Sequence, residues 1–193
     1  DGGIMGNEIE VFDPDPQSDN QRYQELTRRA INQENVDALW AGYSSATREA
    51  IRPIIDREDQ LYFYTTQYEG GVCDSTIFPV GATARQQLGA VTPYLAEEYG
   101  EDIYIIAADY NFGQLSGDWV NVLAQENGYN IVGEEYIPLS ETDFSSVINR
   151  IQSEDPDFVM SMLVGANHEN FYDQRATNDI TDIPIGTSTA MAQ

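Results

Sequence analysis

Two short clusters carry the residue types best suited to hold a small polar molecule. Tyr43-Ser44-Ser45 follows the apolar run 38–41, and Tyr64-Thr65-Thr66-Gln67-Tyr68-Glu69-Gly70-Gly71 follows the run 61–64. Hydroxyls, phenols and a carboxamide supply both hydrogen-bond donors and acceptors. Ser44 or Ser45 either caps the helix that follows or joins that helix's N–H groups in meeting a ligand acceptor. Gln67 offers the complement of an amide or urea, or else faces solvent. Glu69 accepts N–H donors from a ligand, or is simply hydrated. A third apolar run ends in Asp109-Tyr110-Asn111-Phe112, where Tyr110 is placed to close over a ligand. The candidate ligand-binding set is therefore Tyr43, Ser44, Ser45, Tyr64, Thr66, Gln67 and Tyr110, expected to converge on one cleft between two lobes. A small, neutral, hydrogen-bonding solute suits these groups.

Catalytic signatures are poor. Neither cluster pairs a nucleophile with a base. The lone His168 has no Cys or Ser partner nearby in sequence and is expected on a helix surface. Asp13, Asp15 and Asp19 resemble an oxygen-rich cation loop but lack the glycine and closing glutamate of a calcium loop. The chain contains no lysine, which removes the phosphate-binding Gly-Lys-Ser/Thr loop and the lysine-dependent amidase mechanisms. No metal, no cofactor and no enzymatic activity are expected.

The elements that must position the clusters alternate in type. Strand-like runs are expected at 8–13, 38–41, 61–64, 103–108, 130–136, 158–163 and from 183 onward. Helices are expected from a cap at Ser18 or Asp19 to about residue 34, over 46–58 with an interruption at Pro53, and over 83–98, 114–127, 143–153 and 167–175. Such alternation indicates βαβ units and a parallel sheet, an α/β fold. In such sheets ligands bind beyond the carboxyl ends of the strands, where both clusters lie. Gly100-Glu101-Asp102 is the expected crossover, giving a first lobe over 1–101 and a second over 102–193. Each half is short of a complete doubly wound sheet, so both ends are expected to be truncated.

Of 193 residues, 33 are acidic and nine basic, all nine being arginine, for a formal charge of −24. That charge opposes nucleic acid or an anionic membrane as partner. Twelve tyrosines, seven phenylalanines and regular apolar runs argue against disorder. A dense carboxylate surface on a folded core is the pattern of a halophile's protein, hydrated where salt screens self-repulsion. Cys73 is alone, so no internal disulfide forms, and no run approaches the roughly 18 apolar residues of a membrane span.

Several segments carry a resemblance: Gly2-Gly-Ile-Met-Gly6, residues 42–50, Tyr64-Thr-Thr-Gln-Tyr-Glu-Gly70, Ala108-Asp-Tyr110, residues 133–139, Thr142-Asp-Phe-Ser145 and Asp155-Pro-Asp-Phe-Val159. Together they resemble periplasmic-binding-protein-like (type I) receptors of the leucine/amide-binding branch. The Gln-Tyr-Glu-Gly segment is the most specific to the urea and short-chain-amide subgroup. The resemblance implies a two-lobe α/β fold, parallel sheets flanked by helices, and no chemistry. It implies ligand contacts at Tyr43, Ser45, Tyr64, Thr66 and Tyr110, with Gln67 lining the same pocket. It further implies an extracellular or cell-surface, membrane-anchored subunit that hands urea or a short amide to the permease of an ABC transporter; together with the acidic composition, the expected source is a halophilic archaeon. Thr65 stands where relatives often carry Pro, and Gly165-Ala-Asn-His168 where they carry Gly-Asp-Ser-Asn. Two rivals share the fold: a branched-chain amino-acid receptor and a sensory module regulating amide metabolism.

Overall fold

The computed structural model describes residues 3–178 and 180–189. Packing divides the chain into two compact units, one of Asp1–Thr66 with Val72–Gly81, the other of Gln67–Gly71 with Ala82–Gln193. In chain order the first unit holds α1 (Asn20–Asn32), β1 (Leu39–Trp40), α2 (Ser45–Glu58), β2 (Tyr62–Tyr64) and β3 (Ile77–Pro79). Asp19 supplies the expected cap, accepting from the Arg22 N–H at 2.7 Å. The strands form a parallel sheet in the order β1-β2-β3. Its pleat sorts two rows of side chains. Leu39, Tyr62 and Ile77 lie in register and are buried with Ala30 of α1 and Ile51 and Ile55 of α2. Trp40, Phe63 and Phe78 form the row on the opposite face, with ring centres 5.2 and 5.6 Å apart, the first pair stacked and the second tilted.

Three expectations for this unit need correction, and one strand was missed. Residues 8–13 form no strand. Ile9 and Val11 are exposed, while Phe12 packs on the core beneath the Arg29 guanidinium. The run at 38–41 is a strand only over Leu39–Trp40, and Trp40 is 71% exposed. Pro53 does not interrupt α2. Its ring is on the exposed side, and the buried stripe of Ile51, Ile54 and Ile55 carries the helix past the missing hydrogen bond. Finally, β3 was not anticipated. It is three residues long and ends in Pro79, which an edge strand tolerates.

The second unit contains α3 (Ala84–Tyr99), β4 (Asp102–Ala108), α4 (Asn111–Asn127), β5 (Asn130–Ile137), α5 (Ser145–Glu154), β6 (Phe158–Met162), α6 (Gly165–Thr177) and β7 (Ile185–Thr187). All four strands are parallel, in the order β5-β4-β6-β7. Ile103 and Ile105 of β4 point into a core with Leu88 and Leu95 of α3 and Val120 of α4. Tyr104 and Ile106 point into another with Ile148 of α5 and Phe171 of α6. Helices thus cover both faces, the usual arrangement for an all-parallel sheet.

Helix α3 packs on α4, β6 and β7. The division by packing therefore falls near residue 81, whereas the sequence reading put it at 101/102. Gly100 ends a helix and turns into the adjoining strand; the same core continues on both sides of it.

Candidate functional site

In the first unit, the two polar clusters follow neighbouring strands. Tyr43 leaves β1, Tyr64 ends β2, and the Tyr64 hydroxyl donates to the Tyr43 carbonyl at 3.3 Å. Tyr64 is 1% exposed and lies under the Arg48 guanidinium, 4.9 Å from its ring centre. Tyr43 itself is 79% exposed. The turn between β1 and α2 depends on Gly42, which has φ +76°; a Cβ there would stand 2.6 Å from the Tyr62 hydroxyl. That hydroxyl donates to the Ala41 carbonyl at 2.9 Å. Burial, and after it the neighbouring Tyr64 phenol, pushes Tyr62 far above its usual pKa, so it remains a donor.

Ser44 is the N-cap of α2. Its hydroxyl accepts from the Thr47 N–H at 3.2 Å, and Thr47 Oγ1 accepts from the Ser44 N–H at 3.0 Å. This reciprocal box occupies both side chains. Ser45 is the first helical residue and is buried; Thr66 is half-buried just beyond β2. The structure therefore separates two roles that the sequence left open: Ser44 caps the helix, and Ser45 sits inside its first turn.

Gln67 and Tyr110 belong to the second unit. The Gln67 carboxamide is engaged there, its Nε2 donating to the Ser188 carbonyl. Its segment is fastened further on. The Tyr68 N–H donates to the Ala82 carbonyl and Trp119 Nε1 to the Glu69 carbonyl, at 2.9 and 3.2 Å. Glu69 is buried. Tyr110 is the N-cap position of α4, half-buried, with its ring 6.1 Å from Phe112. Here α4 begins three residues before the expected start. Gly113 allows this: a Cβ at that position would lie 1.9 Å from the Ala108 carbonyl oxygen. From β4 the chain goes to β5 on one side and then to β6 on the other. The carboxyl ends of β4 and β6, carrying Tyr110 and Gly165, thus flank a topological switch point.

Other candidates take structural roles. Asp15 accepts from the Gln17 N–H and Asp19 caps α1, so these aspartates shape a turn. Among the described residues no group of three His, Cys, Asp or Glu side chains is placed to hold a metal, and no helix is long and apolar enough to cross a membrane. His168 is not on the surface. It is 4% exposed and stacks flat on Tyr172, with centroids 4.6 Å apart. Asn167 is also buried and ties α6 to the Pro138 and Glu141 carbonyls at 3.2 and 2.8 Å. The sequence reading put His168 on a helix surface, although Phe171 and Tyr172, three and four residues on, mark its helix face as apolar.

A family model described as periplasmic binding protein matches residues 1–193. Among solved structures, a periplasmic binding protein from Burkholderia mallei superposes with a TM-score of 0.87 at 20% identity, over 96% of this chain and 51% of that one. A branched chain amino acid ABC transporter periplasmic ligand-binding protein from Burkholderia xenovorans LB400 gives 0.74 at 20% identity, covering 92% and 49%. A solute binding protein of an ABC transporter from Rhodopseudomonas palustris BisB5, in complex with 3,4-dihydroxybenzoic acid, gives 0.78 at 18% identity, covering 94% and 51%. The chain spans about half the length of these similar proteins.

Proposed function

Because the chain belongs to the periplasmic binding protein family, we propose that it is part of the extracellular solute-binding subunit of an ABC uptake transporter, and that its solute is urea or a short-chain amide. It works by binding alone, at the cell surface, and delivers the solute to membrane permease subunits. The observation that carries the reading is the adjacency of Tyr43–Ser45 and Tyr64–Thr66 beyond neighbouring parallel strands, linked by the Tyr64–Tyr43 hydrogen bond. The proposed first-unit contacts are Tyr43, Ser45, Tyr64 and Thr66. In the second unit the same reading assigns Gln67 and Tyr110 to the solute, with Gln67 acting through the carboxamide that also holds Ser188. A site built from hydroxyls and phenols selects by leaving a wrong solute's partners unpaired. The acidic surface suits a halophile's cell exterior, where salt screens it.

A branched-chain amino acid is the second reading. A similar protein bears that description, and the buried Glu69 is the kind of acidic group an ammonium needs. Calorimetric titration in molar salt with urea, acetamide and leucine distinguishes the two. Saturable binding of urea or acetamide is expected. Leucine binding without amide binding transfers the function to the second reading, and no binding of any of the three overturns both.

A further inference from the structure

The carboxyl ends of β6 and β7 carry a hydrogen-bonded cluster in which buried Leu163 and His168 meet half-buried Thr187 and Thr189. The Thr189 hydroxyl donates to the Leu163 carbonyl at 2.8 Å. It lies 2.9 Å from the Thr187 hydroxyl, which in turn accepts from the Thr189 N–H at 3.0 Å. Since the single hydroxyl hydrogen of Thr189 goes to Leu163, the Thr187 hydroxyl must be the donor between the two threonines. His168 Nδ1 faces the same two oxygens, 3.4 Å from the Leu163 carbonyl and 3.5 Å from Thr189 Oγ1. Both are acceptors toward it, so Nδ1 carries the ring hydrogen and shares it between them. The ring cannot swing away, because Tyr172 stacks against it and Asn167, one residue earlier, anchors the first turn of α6 to the 138–141 loop.

The short segment 187–189 is therefore held from two sides. Gln67 takes the Ser188 carbonyl, and His168 supports Thr189. Between these anchors the Ser188 hydroxyl is buried with no hydrogen-bond partner among the described residues. A buried hydroxyl left in this state costs stability unless a further group meets it. A device that fixes its direction makes sense if something polar is to arrive. We propose that His168 is a positioning residue for solute binding: it touches no solute, but its Nδ1–H holds Thr189 and so fixes segment 187–189 as the second unit's solute-facing backbone. The proposal rests on the solute-binding reading for its purpose, though not for its geometry.

Two variants separate positioning from bulk. His168→Phe keeps a flat ring against Tyr172 and removes the donor; His168→Asn loses the ring and restores an N–H near Nδ1. Amide hydrogen exchange in 187–189 is expected to accelerate about tenfold in the Phe variant, roughly the loss of one hydrogen bond. Exchange in β4 and β6 should stay unchanged, and the Asn variant should sit near the parent. The dissociation constant for whichever of urea, acetamide or leucine binds should follow the same order. His168 is the only histidine, so its ring nitrogen resonances at pH 8 can be assigned directly, and a protonated Nδ1 is expected. A bare Nδ1, equal behaviour of the two variants, or acceleration spread through β4 and β6 overturns the proposal. If none of the three solutes binds the parent, the solute reading fails, while exchange and the ring hydrogen still decide the role of His168.

Discussion

The two sheets are made of the same parallel βα repeats but differ, among the described residues, in how many of their faces are covered. In the second unit β4 is buried along nearly its whole length, between a layer of α3 and α4 and a layer of α5 and α6. In the first unit α1 and α2 bury only one row of side chains, and the other row presents Trp40 at 71% and Phe78 at 45% exposure. Those rings meet along the register, Trp40 stacked on Phe63 and Phe63 tilted against Phe78. In the second unit strand side chains build a two-sided core. In the first, the strands are two or three residues long and chiefly deliver the turns at Tyr43 and Tyr64.

Salt should have the largest effect, because the charge of −24 burdens the whole chain. Raising salt from 0.1 to 1 M shortens the screening distance from about 10 Å to about 3 Å, and the melting temperature should rise substantially. An unchanged melting temperature would refute salt adaptation. Next comes the two-sided core. Ile105→Ala removes a fully buried side chain from β4 and should cost about 2–5 kcal/mol in denaturant unfolding. A smaller effect comes from Ser44→Ala, which deletes one half of the capping box on α2 and should cost about 1 kcal/mol. Smallest is Trp40→Ser on the open face, expected within about 0.5 kcal/mol plus the loss of one exposed stacking contact. If Trp40→Ser costs as much as Ile105→Ala, the contrast between the two sheets is wrong.

The same contrast explains what was legible in the sequence. The two-sided strands at 103–108 and 158–163 announce themselves as continuous apolar runs, and their structural bounds differ from the reading by a residue at most. Helix α2 was legible through its apolar spacing, but its uninterrupted passage through Pro53 was not. By contrast, β3 is too short for any period to show, and its Pro79 argues against a strand. The membership of 67–71 and α3 in the second unit depends on tertiary partners such as Ala82 and Trp119, which no local pattern reveals. The candidate clusters stand out because polar residues directly after apolar runs are visible locally. The capping role of Ser44 and the engagement of Gln67 with Ser188 were not, since each is a choice between bonds that the residue type equally permits.

The central claim, that the first-unit cluster binds a small polar solute, is tested most directly at Thr66. Thr66→Val keeps the side-chain shape and removes one hydroxyl, leaving a solute group unpaired at a cost of about 1–3 kcal/mol. Calorimetric titration of this variant with urea and acetamide in molar salt should show affinity reduced roughly tenfold to a hundredfold, with the melting temperature unchanged. Parent-like amide affinity in a folded Thr66→Val protein would contradict the account.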